Sequence, residues 1–366
     1  MLKVLHIFGR MDRGGAELRT LDLMPQTALS GYEFHFATLA PGPGALDAEI
    51  SRLNGQVHSC ALGLTFPLRF RQLLHEGRFD IVHSHVHHFS GYILRLASKE
   101  HVPKRIAHFR STGDGQPITL RRRAQQALTR RWLNKYATDI VAVSEGTMRH
   151  AWRDDWRRDA RCTVIYNGLD LNRFSPTDER TSKRQQLNIG AGESLIVHVG
   201  TMSSFKNQER LVRIFDGLNR RRPTRRLLLV GRDGDGTKRR VEHMIRAMGL
   251  SRNVMIVGER DDVPGLLKAA DLMIFPSIRE GLPGAILEAC AVGTPVIASD
   301  LPGVKEVAAV CPAVACLPLA ADDYEWITTA ERLLGAPRQA VDFAGGPFDA
   351  STTACRFRAL YEHRAH

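Results

Sequence analysis

Along the chain, short runs of β-branched and apolar residues alternate with longer stretches of helical periodicity. "KVLHIF", "FHFATL", "IVHSH", "RIAHF" and "DIVAVS" fall in the first half, and "LIVHVG", "RLLLVG", "VMIVG", "DLMIF" and "PVIAS" in the second, the series restarting at Ser194. Strands that recur with helices between them predict parallel sheets covered by helices on both faces. Between the two series lies "VIYNGLDLNRFSPTDERTSKRQQLNIGAGES", whose Asn-Gly and Ser-Pro steps and polar tract place a domain joint near residues 167–180. The pattern predicts an α/β protein of two doubly wound, Rossmann-like domains, and 366 residues suit two such cores.

In an open parallel sheet, ligands sit outside the carboxyl ends of the strands. Glycine clusters there: Gly14 and Gly15 follow the first strand and open a helix, and Gly200, Gly231 and Gly258 end three strands of the second series. Together they suggest a phosphate-bearing ligand in a cleft between the domains. Neither the G-x-G-x-x-G dinucleotide spacing nor the G-x-x-x-x-G-K-[ST] phosphate loop is present, so NAD binding and ATP hydrolysis are not indicated. "EGLPGAILEACAVGTP" reads as a turn and a short helix closed by Gly293 and Pro295. Free backbone N–H groups near Leu282 to Ala285, in the turn through Gly281, Pro283 and Gly284, would meet a diphosphate. Glu288, one turn in, would repel phosphate at contact distance yet accept hydrogen bonds from a ribose diol, and Glu280 on the strand side would hold hydroxyls of a second sugar. The two carboxylates bracket a nucleotide-diphosphate-sugar.

Composition narrows the partners. The formal charge is +12, and it is uneven: residues 1–175 carry 25 basic and 16 acidic residues, which leaves +3 for the remainder. "LRRRAQQALTRRWLNK" and "MRHAWRDDWRRDAR" supply much of the excess. No helix-turn-helix, zinc-finger or aromatic RNA-binding pattern accompanies these arginines, so nucleic acid is set aside in favour of a solvated helix face, an anionic substrate or an anionic membrane surface met by the first domain. Trp152 and Trp156, beside Arg153, Arg157 and Arg158, fit one helix presenting indoles at a bilayer, and fit core packing equally well. The first apolar run is too short to span a membrane and lacks a small-residue cleavage site, which suggests a cytoplasmic protein. Six scattered cysteines read as reduced, buried thiols. His83, His85, His87 and His88 form "HSHVHH", but no carboxylate or cysteine joins them at matching spacing, so no metal or other cofactor is expected.

These motifs, in order, resemble the retaining GT-B glycosyltransferases of family 4. "RGGAE", "DIVHSH", "RIAHFRS", "VAVSEG", "VIYNGLDLNRFSP", "VGTMSSFKNQERL" and "EGLPGAILEACAVGTPVIASDLPGVKEV" span nearly the whole chain, the last with seven residues between its two glutamates. The resemblance implies a GT-B fold whose parallel sheets face across a cleft: an acceptor-binding domain at 1–172, a donor-binding domain at 173–345, and a helix at 346–366 that crosses back to the first. It further implies that Glu288 holds the ribose, Glu280 the donor sugar, Lys206 the diphosphate and His108 the sugar or a phosphate oxygen. Gly15, Gly200, Thr201, Gly258 and Arg260 would line the donor, and Gly14, Gly15, His85 and Arg110 the acceptor. Thr201 stands where the family usually has arginine, so either Lys206 and the Glu280 turn suffice or another base such as Arg232 or Arg13 reaches in.

The implied reaction moves a hexosyl group from a UDP-sugar, or from GDP-mannose, to a saccharide or lipid-linked acceptor. Exopolysaccharide and lipopolysaccharide assembly enzymes are the nearest look. No carboxylate stands out as a nucleophile, so attack on the same face as the departing phosphate is expected, with Asn167 and Gly168 as the hinge. A non-hydrolysing sugar-nucleotide epimerase and a catalytically silent sugar-nucleotide-binding protein remain as alternatives.

Overall fold

The computed structural model describes residues 1–113, 119–174 and 180–363, so the Ser-Pro step of the joint lies outside the described residues. Two compact units divide the chain, Met1–Leu169 with Gly345–His366, and Asp170–Ala344. The first unit is built on strands β1 (Leu2–Phe8), β2 (Tyr32–Thr38), β3 (Gln56–Ser59), β4 (Ile81–Ser84), β5 (Lys104–Phe109), β6 (Asp139–Ala142) and β7 (Cys162–Val164), arranged in the order β3-β2-β1-β4-β5-β6-β7. The second holds β8 (Ser194–Val199), β9 (Arg225–Val230), β10 (Val254–Gly258), β11 (Leu272–Phe275), β12 (Val296–Ser299) and β13 (Val314–Leu317), in the order β10-β9-β8-β11-β12-β13. Every ladder is parallel.

The ten runs read from the sequence are the inner strands and β10. Three edge strands with one neighbour each, β3, β7 and β13, are not among those runs: β3 (QVHS) and β7 (CTV) are interrupted by polar residues, whereas β13 (VACL) is apolar throughout. Inner strands are buried on both faces, hence their nearly unbroken apolar runs. In the first unit one face packs on Phe66, Phe70, Ile93 and Leu94 from helices Phe66–Gly77 and Ser90–Lys99. The other packs on Ile50 and on Ala354, Phe357 and Tyr361 of the C-terminal helix Ala350–Glu362. In the second unit, helices Gln208–Arg221 and Asp323–Leu334 bury Leu211, Phe215 and Trp326 on one face, while Val263–Ala269 and Gly284–Ala291 cover the opposite one.

The two crossings of the chain run side by side within the first unit. The Leu169 amide donates to Phe348 O at 2.8 Å and the Ala350 amide to Leu169 O at 3.0 Å. A Cβ on Gly168 would lie 2.4 Å from the Ala350 nitrogen, so only glycine fits between the segments. Asn167 and Gly168 are therefore fastened inside the first unit, and Asp170–Asn172, expected in the first domain, belong to the second.

Both tryptophans proposed for a bilayer are core residues. Trp152 closes helix Glu145–Ala151 and Trp156 opens a separate turn, Trp156–Arg158; they are 2% and 8% exposed. Their arginines lie on the rings from outside, Arg130 and Arg153 over Trp152 and Arg157 over Trp156, at 4.5–5.2 Å from the centroids. All six cysteines are free; Cys60, Cys290 and Cys311 are buried, whereas Cys355 is exposed.

Candidate active site

The strand order of each sheet reverses once, between β1 and β4 and between β8 and β11. Loops that leave two adjacent strands in opposite directions open a crevice outside their carboxyl ends. The residues singled out in the sequence gather at these two points.

In the second unit, Gly200, Gly231 and Gly258 lie side by side. The Gly200 amide donates to Val230 O (2.9 Å) and the Gly231 amide to Gly258 O (2.8 Å). Gly231 has φ 141°, and a Cβ there would stand 2.1 Å from Gly200 O, so a side chain would push apart the loops that follow β8 and β9. The β8 loop is shaped from beneath by His198, 1% exposed. Its Nδ1 donates to Ile274 O (3.0 Å), which leaves Nε2 to accept from the Gln208 amide (3.2 Å). Gln208 also donates to Thr201 O and accepts from the Ser203 amide. Burial lowers the His198 pKa to about 4, the bond to Ile274 O opposing and the Lys206 charge adding, so the ring is neutral at pH 7.

This scaffold presents Lys206 to the β11 loop. Its Nζ donates to Glu280 Oε1 at 2.7 Å and lies 4.7 Å from the centre of the Phe275 ring. One residue earlier on each loop, Arg279 stacks on Phe205 at 3.7 Å, and the Ile278 amide donates to Phe205 O at 2.8 Å. After Glu280 the chain turns through Gly281 and Leu282 into helix Gly284–Ala291, capped by Pro283, which has no side-chain acceptor for the first-turn amides. The turn is seated on Gly303, where a Cβ would stand 1.9 Å from Gly281 O. Gly284 opens the helix, Ala285 follows, and Glu288 lies one turn further, half-buried.

The structure thus joins Lys206 directly to Glu280 beside the helix start. It does not bring Arg260 to them: that guanidinium forks onto Asp262 with two bonds of 2.8 Å. Arg232 faces Glu259 at 3.6 Å, and the Thr201 methyl packs toward Gly234.

In the first unit, His6 of β1, His83 of β4 and His108 of β5 project from the face covered by the C-terminal helix, with His85 and Arg110 just beyond the strand ends. Arg110 Nε donates to His85 Nδ1 (3.2 Å), Nη1 to Asn167 Oδ1 (2.6 Å) and Nη2 to Thr20 Oγ1 (2.8 Å). His85 Nε2 is 3.0 Å from His6 Nδ1, His83 Nε2 is 3.0 Å from His108 Nδ1, and His83 Nδ1 is 2.8 Å from the Tyr361 hydroxyl. Burial, with the Arg110 charge adding to it, lowers the pKa of His6 to about 3 and those of His83, His85 and His108 well below 6.5. Four neutral imidazoles surround one cation. Near Gly14, which caps helix Gly15–Leu21, the Glu17 carboxylate folds back to within 2.3 Å of where a Cβ would be.

The run "HSHVHH" does not stay together: His87 and His88 belong to a separate turn, His87–Phe89, and His6 takes their place beside His83 and His85. The ring nitrogens of these three lie within 4.8 Å of one another, near enough to share a metal ion. Arg110 opposes this use. Its N–H occupies the lone pair of His85 Nδ1, so the ring proton sits on Nε2, the atom that faces His6. Sequence reasoning missed His6, His198, Gln208 and Tyr361, because a lone polar residue inside an apolar strand or helix carries no periodic signal.

Two doubly wound parallel sheets, with glycine-lined strand ends and a lysine–glutamate pair at the switch point of the second, define an α/β protein of two Rossmann-like units. The family model described as "Glycosyl transferases group 1" matches residues 179–310, and that described as "Glycosyltransferase Family 4" matches residues 13–173. The capsular polysaccharide biosynthesis glycosyltransferase CapH of Staphylococcus aureus is 30% identical over 310 residues, 84% of each chain. An Escherichia coli UDP-Gal:alpha-D-GlcNAc-diphosphoundecaprenol alpha-1,3-galactosyltransferase is 27% identical over 63% of this chain and 60% of its own. The crystal structure of Anabaena HepE in complex with UDP-glucose superposes with a TM-score of 0.76 at 21% identity, covering 99% of this chain and 95% of that one. The chain belongs to the family 4 glycosyltransferases of GT-B fold.

Proposed function

We propose that this glycosyltransferase moves a hexosyl group, with retention, from a nucleotide-diphosphate sugar to a hydroxyl of a saccharide or lipid-linked saccharide in surface polysaccharide synthesis. The observation that carries the reading is the Lys206–Glu280 pair beside helix Gly284–Ala291. An incoming diphosphate is the stronger partner for Lys206, so binding would divide the pair: lysine to phosphate, Glu280 to sugar hydroxyls. The helix amides from Gly284 share the phosphate charge, and Glu288 takes the ribose diol. A fixed cation at the leaving group is worth several kcal/mol in the transition state, which assigns to Lys206 the work that a metal does elsewhere. Thr201 brings no second cation, so Lys206 carries more of that work here.

In the transfer, the bond from the anomeric carbon to the phosphate oxygen breaks, and a bond to the acceptor oxygen forms on the same face. The acceptor proton passes to the departing phosphate. His108 would orient the substrate and Arg110 fix His85 beside it, with the acceptor held by the first unit. UDP is the preferred nucleotide, as in the names of the E. coli enzyme and the HepE complex. A diphosphate-linked lipid acceptor is supported by that enzyme's name and by the exposed Arg121, Arg123, Arg130 and Arg131 on helix Leu120–Tyr136. No helix of the described residues is long and apolar enough to cross a membrane; peripheral attachment to an anionic inner leaflet through this helix is the reading we adopt.

The test is to incubate the purified chain with a panel of UDP- and GDP-sugars and polyprenyl-diphosphate saccharides, and to read the anomeric configuration of the product. Retained configuration with one donor supports the reading. UDP binding without turnover on any acceptor would make it a binding protein, and sugar conversion without acceptor an epimerase.

A further inference from the structure

His108 Nε2 is buried and has no hydrogen-bond partner among the described residues. It ends a line that begins on the C-terminal helix, running from the Tyr361 hydroxyl through both nitrogens of His83 to His108 Nδ1. One polarity satisfies the buried phenol. Tyr361 is 6% exposed and, among the described residues, its hydroxyl bonds to His83 Nδ1 alone, so donating there pairs the O–H and moves the unpaired N–H to the far end of the line. A neutral imidazole carries one N–H. Accepting at Nδ1, His83 holds its proton on Nε2 and gives it to His108 Nδ1, which leaves the His108 proton on Nε2.

The second line obeys the same rule from a different origin. Arg110 can only donate, so His85 accepts at Nδ1, donates from Nε2 to His6 Nδ1, and leaves an N–H on His6 Nε2, which also lacks a partner among the described residues. The guanidinium can only donate and the phenol pairs its O–H by donating, so each line ends in an imidazole N–H.

We propose that Tyr361, through His83, holds His108 as the Nε2–H tautomer, making it a neutral hydrogen-bond donor to an acceptor oxygen of the substrate. Its lone pair at Nδ1 is consumed, so His108 does not act as a base. Tyr361 and His83 are positioning residues, which gives the returning C-terminal helix a task besides covering the sheet. This rests on the reading that His108 meets substrate.

The test begins with the full chain labelled with ¹⁵N-histidine and long-range ¹H–¹⁵N correlation, His108 being assigned by its loss in His108→Asn. The expected spectrum shows His108 protonated at Nε2; protonation at Nδ1, or a mixture, in the unaltered chain overturns the proposal. Tyr361→Phe keeps the ring but removes the donor, and should give a tautomer mixture and lower kcat by about tenfold at nearly unchanged melting temperature. His83→Gln keeps the polarity, its amide oxygen accepting from Tyr361 and its NH₂ donating to His108, whereas His83→Leu breaks the line. His108 should stay Nε2–H in the first and lose that form in the second; equal spectra and equal activities would mean that His83 only packs. Addition of UDP or of UDP-sugar then identifies the acceptor: a shift of the His108 Nε2 resonance with both points to a phosphoryl oxygen, and with UDP-sugar alone to a sugar oxygen. Absence of transfer by the unaltered chain overturns the proposed function and leaves the tautomer assignment standing. Nδ1 protonation in an active enzyme does the reverse.

Discussion

The two switch points solve the problem of presenting polar groups in opposite ways. In the first unit, four imidazoles and an arginine are packed under a helix, the rings kept neutral by burial, and each orientation is set by a neighbour. In the second, the chemistry is ionic and near the surface: Lys206 and Glu280 pair at 23% and 10% side-chain exposure on loops held by one neutral histidine below. The first arrangement is fixed by its own hydrogen bonds, while the second would have to part for the diphosphate proposed above. Burial makes the histidine face sensitive to acid through folding, and exposure makes the ion pair sensitive to what binds.

The largest expected difference is in acid. His6, folded, has a pKa of about 3, and His83, His85 and His108 also lie well below 6.5, so the unfolded chain binds protons that the folded one refuses. Their contribution is fully present above pH 6.5 and is lost as pH falls from there toward the folded values, by about 1.4 kcal/mol per histidine per pH unit. The second unit has one such group, His198, at about 4. Urea unfolding of Trp326→Phe, whose remaining tryptophans are all in the first unit, should show stability falling several times more steeply between pH 6.5 and 5 than the second unit's Trp326 reports in a chain lacking the other three. Equal slopes would break the contrast.

Next comes the ion pair. Lys206→Met should lower kcat by about 10²–10³, the scale of losing one preorganised charge at a developing anion, while the first unit's acid profile is unmoved. Nucleotide release in the presence of acceptor measures it, and a variant within threefold of the parent removes Lys206 from the leaving group. Glu288→Gln should be milder, weakening UDP binding about tenfold by calorimetry, as expected for charged hydrogen bonds replaced by neutral ones. Smallest of all is Arg260→Ala. Its guanidinium is exposed and held by Asp262, so UDP affinity and melting temperature should both stay within about twofold and about 1 °C. A tenfold loss of affinity would show that the fork leaves Asp262 for the ligand.

The sequence by itself determined the two sheets, because inner parallel strands are apolar on both faces and announce themselves as runs, and it placed the candidate site residues at the strand ends, because glycines and the 280–288 motif sit next to strand ends in the chain. It also named Lys206, Glu280, Glu288, His108, His85 and Arg110. Only the tertiary structure decided which of these meet. His6, His83 and His108 lie on separate strands and become neighbours through β1-β4-β5 register, Tyr361 reaches them from the far end of the chain, and Trp152 and Trp156 turn inward because their helix ends between them. Local propensity acts along the chain, whereas hydrogen bonds between side chains depend on which strands are adjacent, and strand order is a property of the folded sheet.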